Sequence, residues 1–245
     1  MDSKDSFIIR ILQYVHMVFF SGMIMFFAVI YAAITIPVSF FNSRFARNVA
    51  REWNLRVLEL GGVKLKVVGK EKLDPNERYV FMSNHQSALD IPIIYTGVGG
   101  QISFIAKKEL FKIPVFGWGM SAIGHISIDR KNSRKALDSM NKAVEKLQKE
   151  NISLVLFPEG TRSKDGKVGE FKTASFTLAL KSGVKLVPVG IKNAITCLPP
   201  NSLRVRPGKV TLEIGEPISL EEIEGKSKGE LCSKVQQLVR EIVEA

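Results

Sequence analysis

The chain has 245 residues, room for one substantial domain or one domain with a small appendage. Its 45% hydrophobic and 24% charged content excludes a disordered chain, and two distant cysteines with three histidines support neither a disulfide framework nor a zinc site. Lys and Arg number 35 against 24 Asp and Glu, a net charge of +11 that points to an anionic partner: nucleic acid, a phosphorylated metabolite or an anionic lipid surface.

From Ile11 to Ser43 there is no Asp, Glu, Lys or Arg, a run of 33 residues. A membrane-crossing helix needs ~20 apolar residues, so this run is long enough to enter a bilayer. A secretory signal fits less well, because its apolar core is only about 7–15 residues long. As one helix the run would extend about 50 Å, beyond the ~30 Å hydrocarbon layer. Two geometries accommodate that length: a tilted span broken near Pro37, or a hairpin in one leaflet bending near Ser21-Gly22 or Pro37.

Residues 44–60 follow with Phe45, Val49, Trp53, Val57 and Leu60 at helical spacing and Arg44, Arg47 and Arg51 on another face. Such a basic amphipathic helix suits a lipid interface; the plainer alternative is a helix packed on the domain. Residues 1–10 carry no net charge, whereas residues 44–70 hold seven basic and two acidic residues. Basic flanks stay on the cytoplasmic side, so the expected location is the cytoplasmic face of the cell inner membrane, monotopic or single-span. The division this predicts is a membrane-anchoring segment over 1–60 and one domain over 61–245.

Short apolar runs then alternate with helical patterns. Strands are predicted at Val63–Val68, Tyr79–Ser83, Ile102–Ala106, His125–Ile128, Ile152–Phe157, Lys185–Gly190 and Val210–Ile214. Helices are predicted over Ser133–Glu150, over Lys172–Ser182 with Gly183 closing it, and at the C-terminal end, where Leu231, Val235, Leu238, Val239 and Ile242 share a stripe. The fold class is therefore α/β, a mainly parallel or mixed central sheet flanked by helices, with an N-terminal apolar membrane-anchoring helical segment.

Three groups of residues carry chemistry. The first is Ser83-Asn84-His85-Gln86-Ser87-Ala88-Leu89-Asp90, where a strand ends and an apolar helix is expected to begin around Ser87. Within one helix His85 and Asp90 would point ~140° apart, so they meet only if His85 lies in the turn before it. There Asp90 would orient the imidazole as a general base; alternatively Ser87-x-x-Asp90 is a capping box and nothing more. The second and third groups are Gly124-His125-Ile126-Ser127-Ile128-Asp129-Arg130 and Phe157-Pro158-Glu159-Gly160-Thr161-Arg162-Ser163. Both set arginine and acid at strand ends, where α/β sheets bind ligands and where a guanidinium suits phosphate. An ordinary Asp129–Arg162 surface pair is the competing reading. Residues 107–135 hold seven basic and two acidic residues, either a phosphate funnel or a solvated rim.

The order Asn84-His85-x4-Asp90, Gly124-x4-Asp129-Arg130, Phe157-Pro158-Glu159-Gly160-Thr161-Arg162, Val187-Pro188-Val189 resembles the glycerolipid acyltransferase family, nearest to bacterial 1-acyl-sn-glycerol-3-phosphate acyltransferases. The resemblance covers roughly residues 60–215. It implies a His85–Asp90 catalytic dyad, and an acceptor held by Arg130, Glu159, Gly160, Thr161 and Arg162, with Lys107 a weaker phosphate contact and His125 structural. The implied reaction moves an acyl group from an acyl-CoA or acyl carrier protein thioester to the sn-2 hydroxyl of lysophosphatidic acid, giving phosphatidic acid at an anionic membrane, with no metal or cofactor. Backbone N–H groups near Ser87 would receive the oxyanion. Glycerol 3-phosphate or another lysophospholipid is the alternative acceptor. Competing readings are a Ser87 nucleophile, which lacks the Gly-x-Ser-x-Gly elbow, and a non-catalytic anionic-lipid-binding protein. No stacking motif for nucleic acid is present.

Overall fold

The computed structural model describes residues 3–129 and 133–245. Its strands are β1 (Val63–Val68), β2 (Tyr79–Ser83), β3 (Ile102–Lys107), β4 (Ile126–Ile128), β5 (Ser153–Leu156), β6 (Lys185–Lys192) and β7 (Gly208–Ile214). Its helices are α1 (Ser3–Ser39), α2 (Ser43–Leu60), α3 (Asp90–Val98), α4 (Phe116–Ala122), α5 (Ser133–Glu150), α6 (Phe176–Ser182), α7 (Ala194–Cys197), α8 (Leu220–Glu224) and α9 (Lys228–Glu244). The strands form one sheet in the order β1-β7-β6-β2-β5-β3-β4. Every neighbouring pair is parallel except β6 and β7, so the sheet is mixed and its crossovers carry the helices.

The strands alternate side chains between two covered faces. Phe81, Phe104 and Val155 point to the face packed by α2 and α3, with Ile93, Ile94 and Tyr95. Val80, Met82 and Leu154 point to the other, covered by α5, α6 and α9 through Leu147, Phe176, Leu231 and Val235. Burial on both faces is why β2 and β5 read as unbroken apolar runs rather than alternating ones. The predicted helix over Lys172–Ser182 is a 3-10 turn at Thr173–Ser175 followed by α6, and Gly183 closes it at φ 64. Lys172 therefore lies in the loop ahead of the helix, not on it.

Of the two expected break points, the chain turns close to Pro37 and not at Ser21-Gly22. α1 is continuous for 37 residues, about 55 Å at ~1.5 Å each, with no break at Ser21-Gly22. Pro37 lies within its last turn and the chain reverses at residues 40–42. One glycine costs a helix only about 1 kcal/mol, too little to break a run this apolar. Phe20, Ala32 and Thr35 of α1 are buried against the rest of the chain, while Phe19, Met25, Phe26, Val29 and Ile34 remain exposed.

α2 keeps Arg44 and Arg51 outward but turns Arg47 in. It buries Ala46, Arg47, Ala50 and Leu58, and its Trp53 packs at a tilt on Tyr31 of α1, ring centroids 5.4 Å apart. Arg47 is 4% exposed, donates from Nε to Ile123 O at 3.1 Å and pairs with Glu150 at 2.5 Å. The small Ala46 and Ala50 let α2 come close to the core, which turns the second position of the basic face inward. The plainer expectation of a packed helix describes α2.

Candidate active site

The first constellation forms at the carboxyl end of β2. α3 begins at Asp90 rather than near Ser87, and Pro92 suits that start because a proline in the first turn costs the helix no hydrogen bond. Residues 84–89 thus form a corner, and the corner lets His85 and Asp90 face each other. His85 Nδ1 lies 2.7 Å from Asp90 Oδ2. A carboxylate only accepts, so the proton belongs on Nδ1 and the Nε2 lone pair is left available. The imidazole is 18% exposed, Asp90 is fully buried, and Nε2 has no hydrogen-bond partner among the described residues. The His85 ring stacks on Phe157, centroids 4.2 Å apart and planes 16° from parallel.

Asp90 also binds backbone donors of the corner. Its Oδ2 accepts from Gln86 N at 2.7 Å and from Ser87 N at 2.9 Å. The same oxygen thus orients His85 and ties the corner's backbone, but no capping box forms: α3 begins at Asp90 without a side-chain cap, and Ser87 Oγ accepts from Leu89 N rather than from Asp90 N. The amides of Gln86 and Ser87 are engaged by Asp90, so an oxyanion site near Ser87 would have to use another backbone N–H of the corner. Ser87 is no nucleophile: it is fully buried, its Oγ donates to Leu198 O at 2.8 Å and accepts from Leu89 N at 3.1 Å.

A loop from the end of β5 closes over the same corner. Ser163 N donates to His85 O at 2.7 Å, Gln86 Nε2 donates to Gly166 O at 2.8 Å, and Glu159 Oε1 accepts from His85 N at 3.0 Å. Glu159 is only 5% exposed. Burial pushes its carboxyl up to about 7, Asp90 adds to that push, and the amides of His85 and Gly169 oppose it. Glu159 was expected to hold the acceptor; its carboxyl is turned into the loop and braces the His85 backbone. Asn84 ties the corner to β6, giving and receiving hydrogen bonds with the backbone of Ile191 at 2.9 and 2.8 Å.

The other expected residues are distributed around this centre. Gly160 takes φ 72, a left-handed turn that glycine allows without strain. Thr161 is exposed and Arg162 half-buried, and Arg162 pairs with no carboxylate among the described residues. The proposed Asp129–Arg162 pair is absent, because Asp129 pairs with Lys108 at 2.5 Å. Lys107 is exposed and only loosely paired, 3.8 Å from Glu109. Arg130 lies outside the described residues. His125 is structural: its Nδ1 accepts from Phe104 N at 3.2 Å, its Nε2 lies 3.3 Å from Tyr95 Oη, and burial pushes it down to about 3, so it stays neutral.

Three residues escaped the sequence reading. In the sequence pattern Phe157 is a strand end and a motif residue, Gln86 carries no role, and Lys172 opens a predicted helix. An apolar cavity of about 340 Å³ opens beside the centre, walled by Ile105, Ile128, Leu137, Met140 and Leu156, with Phe157, Gly160 and Lys172 at its edge. No local signal marks it, since its walls come from β3, β4, β5 and α5.

An α/β sheet with a His–Asp pair at its strand ends, beside an apolar cavity, defines the class of protein. The family model described as Acyltransferase matches residues 64–192, more than half of the sequence. The chain belongs to this acyltransferase family. A chloroplastic 1-acyl-sn-glycerol-3-phosphate acyltransferase of Arabidopsis thaliana is 36% identical over 73% of this chain and 49% of its own length. The 1-acyl-sn-glycerol-3-phosphate acyltransferase of Saccharomyces cerevisiae is 35% identical over 71% of this chain and 58% of its own. The chain thus spans about half the length of the curated relatives it matches. A crystal structure of a 1-acyl-sn-glycerophosphate acyltransferase from Thermotoga maritima superposes with a TM-score of 0.82 at 31% identity, covering 96% of both chains.

Proposed function

We propose that this chain transfers a fatty acyl group from a thioester of coenzyme A or acyl carrier protein to the sn-2 hydroxyl of 1-acylglycerol 3-phosphate, forming phosphatidic acid. The observation that carries the reading is the 2.7 Å Nδ1–Oδ2 contact with the opposite nitrogen open. His85 Nε2 takes the hydroxyl proton as that oxygen attacks the thioester carbonyl; the imidazolium is stabilised by Asp90. Collapse of the tetrahedral adduct breaks the C–S bond, and the imidazolium returns its proton to the departing thiolate. An ester and a free thiol result. Arg162, an unpaired guanidinium on the loop over the centre, suits the acceptor phosphate, and Thr161 and Gly160 would shape its approach. Glycerol 3-phosphate as acceptor would use the same base.

The apolar cavity suits a fatty acyl chain. Its 340 Å³ and apolar walls offer room for part of such a chain. Replacing His85 with Ala, in a purified-enzyme assay with several acyl thioesters, should remove acyl transfer while leaving liposome association unchanged. Retained turnover would end the proposal.

The segment 1–60 acts, in this reading, as the membrane anchor of the acyltransferase domain 61–245. One stripe of α1, from Phe20 to Thr35, is committed to the protein and the opposite stripe is apolar and exposed. A helix that touches the protein through Phe20, Ala32 and Thr35 and leaves most of its other described apolar side chains exposed suits lying in one leaflet beside the domain. The exposed Phe40 and Phe41 at the turn would enter the same leaflet, on the cytoplasmic face of the inner membrane by the charge of the flanks. Both ends of α1 should then be reached by an impermeant label from one side of sealed vesicles; labelling of the two ends from opposite sides would refute it.

A further inference from the structure

The loop that closes over His85 carries a second cation that the motif pattern does not assign. Lys172 is exposed, yet its position is specified at three points. Its backbone N donates to Pro158 O at 3.0 Å and its O accepts from Ser175 N at 2.9 Å. Its side chain runs across Gly160: a Cβ added there would lie 2.9 Å from Lys172 Nζ, 3.2 Å from Cε and 3.5 Å from Cδ. Gly160 therefore does two things, adopting φ 72 and leaving the space the lysine stem crosses. The ammonium makes no hydrogen bond or ion pair with any described residue. It edges the same cavity as Phe157, the ring stacked on the His85 imidazole.

Two cations with no ion-pair partner among the described residues, Lys172 and Arg162, thus sit on the segment whose Ser163 amide and Glu159 carboxylate hold the His85 backbone. Which substrate they serve follows from covalent distances. In a 1-acylglycerol 3-phosphate, the phosphorus is only three bonds beyond the carbon bearing the reacting hydroxyl. In an acyl-CoA or acyl carrier protein donor, the phosphates lie beyond the whole pantetheine arm from the thioester. A cation on the loop that holds the base is placed for the acceptor's phosphate rather than the donor's. A lysine ammonium suits that task as a compact point charge with three donors, beside an arginine that supplies a planar fork.

We infer that Lys172 is an acceptor-phosphate contact that sets preference for phosphorylated over neutral glycerolipid acceptors; this rests on the acyltransferase reading above. The test measures kcat/KM of the full-length protein for 1-acylglycerol 3-phosphate and for 1-acylglycerol, and the KM of the acyl thioester. In Lys172→Ala the preference for the phosphorylated acceptor should fall about tenfold, through KM for that acceptor, and Lys172→Arg should restore most of it. Lys167→Ala, an exposed lysine of the same loop, is the control. An unchanged preference in Lys172→Ala, or a rise confined to the thioester KM, overturns the inference. A wild-type protein that acylates neither acceptor would instead defeat the underlying functional reading, so the two failures are distinguishable.

Discussion

Replacing Asp90 with Asn separates two roles that the His–Asp pair combines. Asp90 Oδ2 receives His85 Nδ1, Gln86 N and Ser87 N, while Oδ1 is buried without a hydrogen-bond partner among the described residues. The two backbone donors dictate that the amide oxygen of an asparagine takes the Oδ2 position. His85 then still donates from Nδ1 and keeps its tautomer, and the loss is that of the negative charge. Charges about 4 Å apart interact by roughly 4 kcal/mol at an effective dielectric of ~20. His85 is 18% exposed, so part of this is screened and about 2–4 kcal/mol remains, a fall in kcat of roughly 30- to 1000-fold. Asp90→Ala should be worse, because it also frees the imidazole and orphans two buried amides at about 1–3 kcal/mol each. Steady-state kinetics with saturating substrates gives the rates, and ¹⁵N spectra of the imidazole report the tautomer. An Asp90→Asn enzyme within threefold of wild type, or one whose imidazole carries its proton on Nε2, would refute this reasoning.

Met140→Trp, which places an indole in the cavity wall, should shift preference toward shorter acyl thioesters, with long-chain kcat/KM down about tenfold; a thioester chain-length series checks it. Glu159 supplies a pH dependence of opposite sign to the usual carboxylate. Its folded value of about 7 exceeds the ordinary 4.5, so between those values the folded chain holds a proton that the unfolded chain releases, and stability falls as pH rises. Glu159→Gln should flatten that fall, on the order of 2 kcal/mol after allowing for partial solvent screening, in thermal melts from pH 4.5 to 7.5. Melts of the two proteins that run parallel across this window would contradict it.

What could be read from residues alone was what local periodicity encodes. β1, β2 and α5 have the predicted limits because each sets a short-range hydrophobic pattern against a fully or half-covered face. The His-x4-Asp spacing allowed His85 and Asp90 to meet across one strand-to-helix corner, and the resemblance implied their role; the structure brings them to 2.7 Å. Tertiary structure alone decided the rest. That Arg47 turns inward depends on Glu150 and Ile123, 103 and 76 residues away. That Asp129 takes Lys108 and leaves Arg162 unpaired depends on how the segments after neighbouring strands β3 and β4 meet. Glu159, Phe157 and Lys172 reach His85 or its edge only because β5 lies beside β2 in the sheet. Pattern along the chain records which face is apolar; which strand becomes whose neighbour is set by packing between distant residues, and the working half of this site is made of such neighbours.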